Sequence, residues 1–292
     1  RAGLSGIAGW HAANRPFAVV DIIVGWGDNS YGRATPPAGL KGVIAIAGGQ
    51  SFSLALKDDG TVVGWGYNYY GQATPPAGLN GVIAIAAGLK HSLALKDDGT
   101  VVGWGDNSYG RATPPAGLSG VTAIAGKDHS LALKDDGTVV GWGDNSYGRA
   151  TPPAGLSGVT AIAAGLFHSL ALKDDGTVVG WGDDSHVTPP AGLSGVTAIA
   201  AGDYHSLALK DDGTVVGWGD NYGGQTSIPA GLSGVTAIAA GSTHSLALKD
   251  DGTVVGWGSN NYGESTPPAG LSGVTAIAAG SYHSLALKVA AP

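Results

Sequence analysis

Three short segments, each recurring seven times along the 292 residues, predict an all-β fold, a seven-bladed β-propeller. Gly-Trp-Gly recurs around seven tryptophans, from Trp26 to Trp257, at intervals of 37 to 39 residues. The segments Ser-Leu-Ala-Leu-Lys and Val-Thr/Ile-Ala-Ile-Ala recur at matching intervals, so three independent markers give the same count. A fixed period of about 20–50 residues is the signature of repeat folds, in which each unit buries its faces against its neighbours.

Each repeat unit predicts three short strands. In one unit, residues 121–125 are a short apolar run, 129–134 follow a glycine turn, and 138–142 end in Gly-Trp. Lys-Asp-Asp-Gly at 134–137 is a hairpin signal, because Asp-Gly favours a tight turn between two apolar runs. Apolar residues nowhere recur at the helical period, and Pro-Pro in the following loop fits only a sheet edge or a loop.

The two ends of the chain predict how the ring closes. Val24-Gly25-Trp26 is a third-strand copy that precedes any intact partner strands, while the last two strands, within 274–288, have no third strand after them. Radial arrangement of the units protects strand edges that isolated three-stranded sheets would expose. We therefore predict that Val24-Gly25-Trp26 completes the C-terminal blade.

We predict one propeller domain over residues 1–292, with seven repeat units from about 22 to 288. Residues 1–21 are interpreted as a decayed repeat or an N-terminal extension, because Gly3-Leu4-Ser5-Gly6 matches the repeat and Trp10-His11 echoes its Gly-x-x-His. An eighth, partial blade is the alternative. The start at Arg1 leads us to expect a processed chain.

The composition limits the classes of partner. The formal net charge of −7 disfavours nucleic acid, which requires a basic footprint. No apolar run approaches the ~18 residues that would span a membrane, so we expect no membrane partner. The chain has no cysteine and therefore forms no disulfide.

The unit Gly-x-x-His-Ser-Leu-Ala-Leu-Lys-Asp-Asp-Gly-Thr-Val-Val-Gly-Trp-Gly-Asp-Asn resembles the regulator-of-chromosome-condensation repeat over nearly the whole chain. Its short length and its Thr-Pro-Pro-Ala link most resemble the propeller-type β-lactamase inhibitory protein and its secreted bacterial relatives. This resemblance implies protein binding through one loop face and an extracellular or periplasmic location. The family namesake has longer blades and exchanges nucleotide on a small GTPase while docked on chromatin, a role that the acidic charge here disfavours.

Histidine occupies one position in six units, and Phe52 takes it in the remaining unit. The six are His91, His129, His168, His205, His244 and His283. Metal ligands must lie within about 2.1 Å of one ion, and symmetry-related residues on separate blades stand too far apart for that. We predict a structural role for them, capping the strand start by hydrogen bonds. His11 and His186 break the pattern and predict no site.

Three further motifs fail to predict chemistry. The six Lys-Asp-Asp-Gly segments lack the terminal Glu of a calcium loop and serve as hairpin turns. Gly-x-Gly around each tryptophan has no helix after it, as a phosphate loop requires. Serine follows histidine directly, and adjacent strand residues point to opposite faces, which predicts no Ser-His-Asp triad. We therefore predict no catalytic residue, no cofactor and no metal, and a chain that is not an enzyme.

Because the repeats are nearly copies, their differences mark a variable surface. The differences concentrate in the two residues before each histidine position and in the loop after each Trp-Gly. In the resembling inhibitor these loops converge on one face that binds the target enzyme through aromatic and acidic residues, and tyrosine is a favoured interface anchor. The alternative is that loop tips merely tolerate change. Carried over by position, the predicted partner-binding residues are Tyr31, Tyr67, Tyr69, Tyr70, Asp106, Tyr109, Asp144, Tyr147, Phe167, Tyr204, Tyr222, Tyr262 and Tyr282.

We predict that a monomer binds a protein partner through this face, and that the specific form of this binding is non-covalent inhibition of a serine β-lactamase. A purely structural or engineered repeat ring without a specific partner is the first alternative. Three identical loops, beginning at residues 28, 106 and 144, favour it, because a face evolved for one target should be diversified. A guanine-nucleotide-exchange-like role is the second alternative.

Overall fold

Seven three-stranded antiparallel sheets follow one another along the chain, as the sequence predicts. The computed structural model describes residues 21–183 and 187–289, so the interpretation of residues 1–20 and of His186 lies outside the described part. Within that part, no helix is long and apolar enough to cross a membrane. The strands are β1 (Asp21–Gly27), β2 (Val43–Gly48), β3 (Phe52–Lys57), β4 (Val62–Gly66), β5 (Val82–Ala87), β6 (His91–Lys96), β7 (Val101–Gly105), β8 (Val121–Gly126), β9 (His129–Lys134), β10 (Val139–Gly143), β11 (Val159–Ala164), β12 (His168–Lys173), β13 (Val178–Gly182), β14 (Val196–Ala201), β15 (His205–Lys210), β16 (Val215–Gly219), β17 (Val235–Ala240), β18 (His244–Lys249), β19 (Val254–Gly258), β20 (Val274–Ala279) and β21 (His283–Val289), with 3-10 turns at Ser108–Gly110 and Ser146–Gly148.

Each blade contains a first, a second and a third strand. The blades are blade 1 (β2–β4), blade 2 (β5–β7), blade 3 (β8–β10), blade 4 (β11–β13), blade 5 (β14–β16), blade 6 (β17–β19) and blade 7 (β20, β21 and β1). The third strand begins one residue later than predicted: in blade 3 it starts at Val139, because Thr138 belongs to the hairpin turn. The Thr138 N–H and hydroxyl both donate to the Asp136 carboxylate, at 3.0 and 2.6 Å.

The N-terminal strand closes the ring as predicted. β1 pairs antiparallel with β21 and completes the sheet that β20 and β21 begin. Trp26 lies opposite Ser284 in this pair, just as Trp142 lies opposite Ser130 within blade 3. Blade 7 therefore has the register of the other blades although its strands come from the two ends of the repeat region.

The apolar core lies between neighbouring blades. At the junction of blades 3 and 4, for example, Leu131 and Leu133 pack with Ile162, Ala171 and Trp181. Both leucines of the second strand are almost completely inaccessible to solvent. Because each blade buries its faces only against its two neighbours, the ring has to close before every blade is covered on both sides.

A glycine in each third strand allows the connecting loop to cross that strand at short range. A Cβ atom on Gly141 would overlap the carbonyl group of Ala150 in the loop that follows, and Gly64 meets Ala73 in the same way. Neither position has room for a side chain, which explains the glycine before the tryptophan in every copy.

A buried hydrogen-bond relay joins neighbouring blades. At the junction of blades 7 and 1, His283 Nε2 lies 2.8 Å from Ser53 Oγ. The Ser53 hydroxyl donates to the carbonyl of Arg33 at 2.9 Å, and Trp65 Nε1 donates to the same carbonyl at 2.8 Å. Because Arg33 belongs to the connecting loop, the relay fixes the loop to both blades. The equivalent histidine–serine pairs, at 2.6–2.9 Å, are His91–Ser130, His129–Ser169, His168–Ser206, His205–Ser245 and His244–Ser284.

The relay fixes the protonation state of the histidines. Ser53 and its equivalents such as Ser130 donate their hydroxyl hydrogen to a loop carbonyl, so they accept from histidine Nε2, which therefore carries a hydrogen. Burial opposes a charged ring and lowers the histidine pKa from its ordinary value of 6.5 to about 3. This value applies to His91, His129, His244 and His283.

The relay adds a contact that the sequence analysis did not predict and corrects one expectation. Histidine and serine pair between neighbouring blades rather than within a strand. The histidines are structural as predicted, but they bond the serine of the next blade rather than cap their own strand. Ser53 and Ser130 are completely buried and donate to the backbone, so these pairs offer no nucleophile to a substrate in solution.

We predict that mild acid destabilises the ring through these histidines. Their pKa is about 3 in the folded chain and near 6.5 in the unfolded chain, so their stabilisation is complete above pH 6.5 and is lost as the pH falls toward 3. Between about pH 7.5 and about pH 5, each such histidine should lower the free energy of unfolding by about 2 kcal/mol. Denaturant unfolding at the two pH values measures the loss, in a range where carboxylates contribute little.

Phe52 supplies the matched variant for this experiment. It occupies the histidine position of blade 1, fully buried, and its ring lies against Gly49 as the ring of His91 lies against Gly88. His91→Phe should therefore fold, lose about 1 kcal/mol at pH 7.5 with the hydrogen bond to Ser130, and show about 2 kcal/mol less loss on acidification. An unchanged pH dependence in His91→Phe would refute the assignment.

Candidate partner-binding face

Two sets of loops meet on one face of the ring, which we call the loop face. One set joins the first strand of each blade to the second, and the other follows the third strand. Gly143 at the end of β10 lies opposite His129 at the start of β9, so both sets leave the sheet at the same edge. All thirteen residues of the predicted binding set lie in these loops. The Lys-Asp-Asp-Gly turns form the opposite face, called the hairpin face.

The loops after the third strands are braced by their own side chains. In the loop from blade 2 to blade 3, Asn107 Nδ2 donates to Thr113 Oγ1 at 2.9 Å and its Oδ1 accepts from the Ala112 N–H at 3.0 Å. Asp106 Oδ1 accepts from both the backbone and the hydroxyl of Ser108. Such local bonds fix the loop backbone, so the tyrosines are presented from a rigid support.

Four tyrosines form one continuous patch, the tyrosine cluster (Tyr31, Tyr67, Tyr69 and Tyr70). The ring centroids of Tyr31 and Tyr67 are 4.9 Å apart, those of Tyr67 and Tyr69 6.4 Å, and those of Tyr69 and Tyr70 5.0 Å. Tyr69 is 78% exposed. Edge and stacked contacts of this kind stabilise the rings against one another while their outer surfaces stay accessible.

The remaining predicted aromatic residues lie in smaller groups around the face. Phe167 contacts Tyr147 at 5.9 Å and Tyr204 at 5.1 Å between ring centroids. Tyr262 and Tyr282 are 5.8 Å apart. Burial, together with the Asp203 carboxylate, raises the pKa of Tyr204, which keeps its hydroxyl neutral. Tyr109 and Tyr222 are exposed, the latter almost completely.

One loop sequence adopts two conformations. Asp-Asn-Ser-Tyr-Gly-Arg-Ala-Thr-Pro-Pro occurs at 28, 106 and 144, and its tyrosine has a φ of 63° at Tyr109 and 64° at Tyr147. Tyr31 is outside this left-handed region and packs on Tyr67, the first residue after the next Gly-Trp-Gly. The residues at the same position after the loops of Tyr109 and Tyr147 are Asp144 and Asp183. The neighbouring blade therefore decides the conformation, and a left-handed non-glycine residue costs about 1–2 kcal/mol.

The two predicted acidic residues are engaged within the protein. Asp144 Oδ2 lies 2.8 Å from Arg149 Nη2 and is largely buried, and Asp106 pairs with Arg111 at 3.7 Å. Asp128, a residue that sequence reasoning missed, lies 2.5 Å from Arg111 Nη1 and 3.1 Å from Arg149 Nη2. The five residues form one ion network across blades 2 to 4. Hydrogen bonds from Ser146 and the Arg149 charge hold the pKa of Asp144 below its usual value despite burial.

A second missed feature is an ion pair that links blades 3 and 5. Lys127 Nζ lies 2.7 Å from Asp203 Oδ1, and Ser242 Oγ donates to Asp203 Oδ2 at 2.5 Å. A contact that skips blade 4 is possible only close to the ring axis. The sequence feature that could have predicted this ion pair is the spacing of 38 residues between Trp104 and Trp142. The loop between the first and second strands of blade 3 is one residue shorter than usual, so Lys127 stands where other blades have glycine.

On the hairpin face, the described aspartate that follows each Lys-Asp bonds within its own turn. Asp59 accepts hydrogen bonds from Lys57 and Thr61 of its own turn, and these bonds lower its pKa. Across residues 21–183 and 187–289, no group of three or more histidine, cysteine, aspartate or glutamate residues lies close enough to hold a metal ion.

The two loop conformations predict opposite effects of the same substitution. Tyr109→Gly removes a strained left-handed residue, so the free energy of unfolding should stay the same or rise by up to about 1 kcal/mol. Tyr31→Gly removes an unstrained residue and its contact with Tyr67, so it should lose about 1 kcal/mol. Urea unfolding of both variants measures the difference, and equal effects would contradict the assigned conformations.

Solved structures with the same fold support the architecture. Prp20p from Saccharomyces cerevisiae is 21% identical with a TM-score of 0.79, covering 95% of this chain and 93% of that chain. Human WBSCR16 is 21% identical with a TM-score of 0.74, covering 92% and 99%. The ectodomain of the Physcomitrella patens receptor kinase CR4 is 26% identical with a TM-score of 0.68, covering 81% and 68%. No curated protein matches the chain.

The sequence itself matches a repeat family. The regulator of chromosome condensation (RCC1) repeat matches residues 43–72, 82–111, 124–149, 159–186, 196–225 and 235–264, which together make up more than half of the chain. This confirms the resemblance seen in the repeat unit, and the chain belongs to the RCC1 repeat family.

Proposed function

We propose that this propeller is a non-enzymatic binding protein that contacts a protein partner with its loop face. The observation that carries the proposal is the placement of exposed aromatic residues. Ten large hydrophobic residues are exposed within the described part of the chain, and the eight that are aromatic all lie on the loop face. They are Tyr31, Tyr69, Tyr70, Tyr109, Tyr147, Tyr222, Tyr262 and Tyr282.

Physical chemistry favours protein recognition as the use of this face. Tyrosine buries a large area at low cost in side-chain entropy and is enriched at interface hot spots. Rings on braced loops lose little further freedom on binding, which reduces the entropic cost of association. Solvent-exposed aromatic groups confined to one face are otherwise a liability for solubility, so their concentration there supports a docking role.

The relatives support the class of function. Prp20p, by the description of its structure, binds Gsp1p and histones, and it has also been solved with Kap60. At 21% identity this likeness extends to the fold, so these partners belong to Prp20p. For the present chain we propose protein binding as a class, at a site outside the cytoplasm.

Inhibition of a serine β-lactamase is the specific form of the proposal. The short blades and the Thr-Pro-Pro-Ala link of the repeat support it, together with the aromatic rings on one face. The inhibitor would cover the enzyme's active site without a covalent step, because the described serine hydroxyls of the relay are buried. An exchange role on a GTPase is not favoured, since the net charge of −7 opposes chromatin docking.

The test is a titration against several class A β-lactamases, following hydrolysis of a chromogenic substrate. We expect stoichiometric inhibition that the double variant Tyr69→Ala/Tyr70→Ala weakens by at least 10-fold, about 1.4 kcal/mol, through loss of two exposed rings. Lys96→Ala/Lys134→Ala on the hairpin face is the matched control and should inhibit like the parent.

The remaining outcomes distinguish β-lactamase inhibition from protein binding to another partner. Absence of inhibition would reject the β-lactamase and leave protein binding, to be tested by capture from periplasmic and culture-medium extracts with the same variants. Capture that does not differ between the Tyr69/Tyr70 variant and the Lys96/Lys134 control would contradict a loop-face function. It would favour the structural ring that the three identical loops suggest.

A further inference from the structure

Two sectors of the loop face differ in charge balance. In the paired sector, between residues 28 and 167, the four carboxylates of Asp28, Asp106, Asp128 and Asp144 meet four cations. These cations are Arg33, Lys90, Arg111 and Arg149. Internal ion pairs of 2.5–3.7 Å neutralise most of this sector.

The acidic sector comprises the loop-face residues between 202 and 282. It contains Asp203, Asp220 and Glu264, and its only balancing cation among the described residues is Lys127, which reaches across from blade 3 to Asp203 at 2.7 Å. Glu264 is buried and accepts a hydrogen bond from the Tyr262 N–H, so Asp220 is the accessible carboxylate of this sector that has no cation beside it among the described residues. Asp220 accepts hydrogen bonds from the Tyr222 N–H at 3.1 Å and from Gln225 Nε2 at 3.2 Å, neither of which supplies a positive charge.

The aromatic rings show the same division. Four rings have a cation of this chain above them at 5.2–5.9 Å: Tyr31, Tyr70, Tyr109 and Phe167. All four belong to the paired sector. In the acidic sector, Tyr222 is 99% exposed, and Tyr262 and Tyr282 contact each other with 57% and 36% of their surfaces exposed.

We propose that the acidic sector binds an arginine- or lysine-bearing segment of the protein partner, so this inference rests on the proposed function and specifies its chemistry. The partner's cation lies over the ring of Tyr222 and pairs with the carboxylate of Asp220 beside it. Tyr262 and Tyr282 supply the adjoining apolar surface. The paired sector already contains a cation placed between a ring and a carboxylate. There, Arg111 of this chain lies over Tyr109 at 5.4 Å and next to Asp106.

Charge and desolvation both favour this occupant. A cation over a tyrosine ring is stabilised by the ring quadrupole, and the gain increases when a carboxylate nearby neutralises the charge as water leaves. An acidic segment would instead meet Asp220 and the −7 net charge of the chain, both of which repel it. The paired sector offers a basic segment less, since its carboxylates and four of its rings already have cations.

The experiment uses the full chain with ring-labelled tyrosine and follows tyrosine signals by NMR. The probe is the capped peptide Gly-Arg-Gly-Arg-Gly, and the matched probe has glutamate in place of arginine. We expect the arginine peptide to shift the signals of Tyr222, Tyr262 and Tyr282 and to leave Tyr109 unmoved. The glutamate peptide should shift none of them.

Two pairs of variants test the assigned roles. Tyr222→Ala and Asp220→Asn should each weaken peptide binding by about 2-fold to 5-fold, the range of a single cation–π contact or ion pair at an exposed site. Tyr109→Ala and Asp106→Asn, their counterparts in the paired sector, should bind like the parent. Added salt should weaken binding to the parent and affect Asp220→Asn less.

Other results would overturn the proposal. Equal shifts with both peptides, or equal losses in the two pairs of variants, would show that the acidic sector has no preference for cations. Failure of this proposal is distinguishable from failure of the proposed function. A partner that depends on Tyr69 and Tyr70 but binds Tyr222→Ala and Asp220→Asn normally would refute only the acidic sector.

Discussion

The hydrogen bond from a relay histidine to the serine of the next blade is the interaction that positions the blades and their loops at six of the seven junctions of the ring. It places a polar group at the centre of an otherwise apolar interface, where an unsatisfied partner would cost about 1–3 kcal/mol. In six blades the serine and the tryptophan then share one loop carbonyl, as Ser53 and Trp65 share that of Arg33. The serine hydroxyl therefore holds its own sheet, the neighbouring sheet and the connecting loop together. As a result, the loop leaves the sheet in a fixed direction.

That constraint explains why sequence differences between the blades concentrate on one face. The relay and the braces formed by Asn107 and its equivalents hold the loop backbone, so side chains before the histidines and after Trp-Gly can change without loss of the ring. Changes there produce the tyrosine cluster, the ion network around Asp128 and the acidic sector. The hairpin face repeats one turn sequence and shows no such division of chemistry.

The fold could be predicted from the sequence because the repeat carries its determinants along the chain: the buried Leu-Ala-Leu strands and the glycine under the loop in all seven copies, and the Asp-Gly turn in six. The unpaired third strand, Val24-Gly25-Trp26, also predicted closure correctly. The pairing of His283 with Ser53 could not be predicted, because it joins residues that meet only once the ring has closed. Asp106 and Asp144 were predicted to face a partner, but only the folded loop shows the arginine five residues later beside each carboxylate.

The tautomer of the relay histidines tests this account most directly. Imidazole nitrogen spectra of the ¹⁵N-labelled protein at about pH 5 report the charge and the protonated nitrogen of each ring. The account predicts neutral Nε2–H tautomers for His91, His129, His244 and His283, although free histidine would be mostly charged at this pH. Charged rings, or neutral rings protonated at Nδ1 in the folded chain, would contradict the relay and the frame built on it.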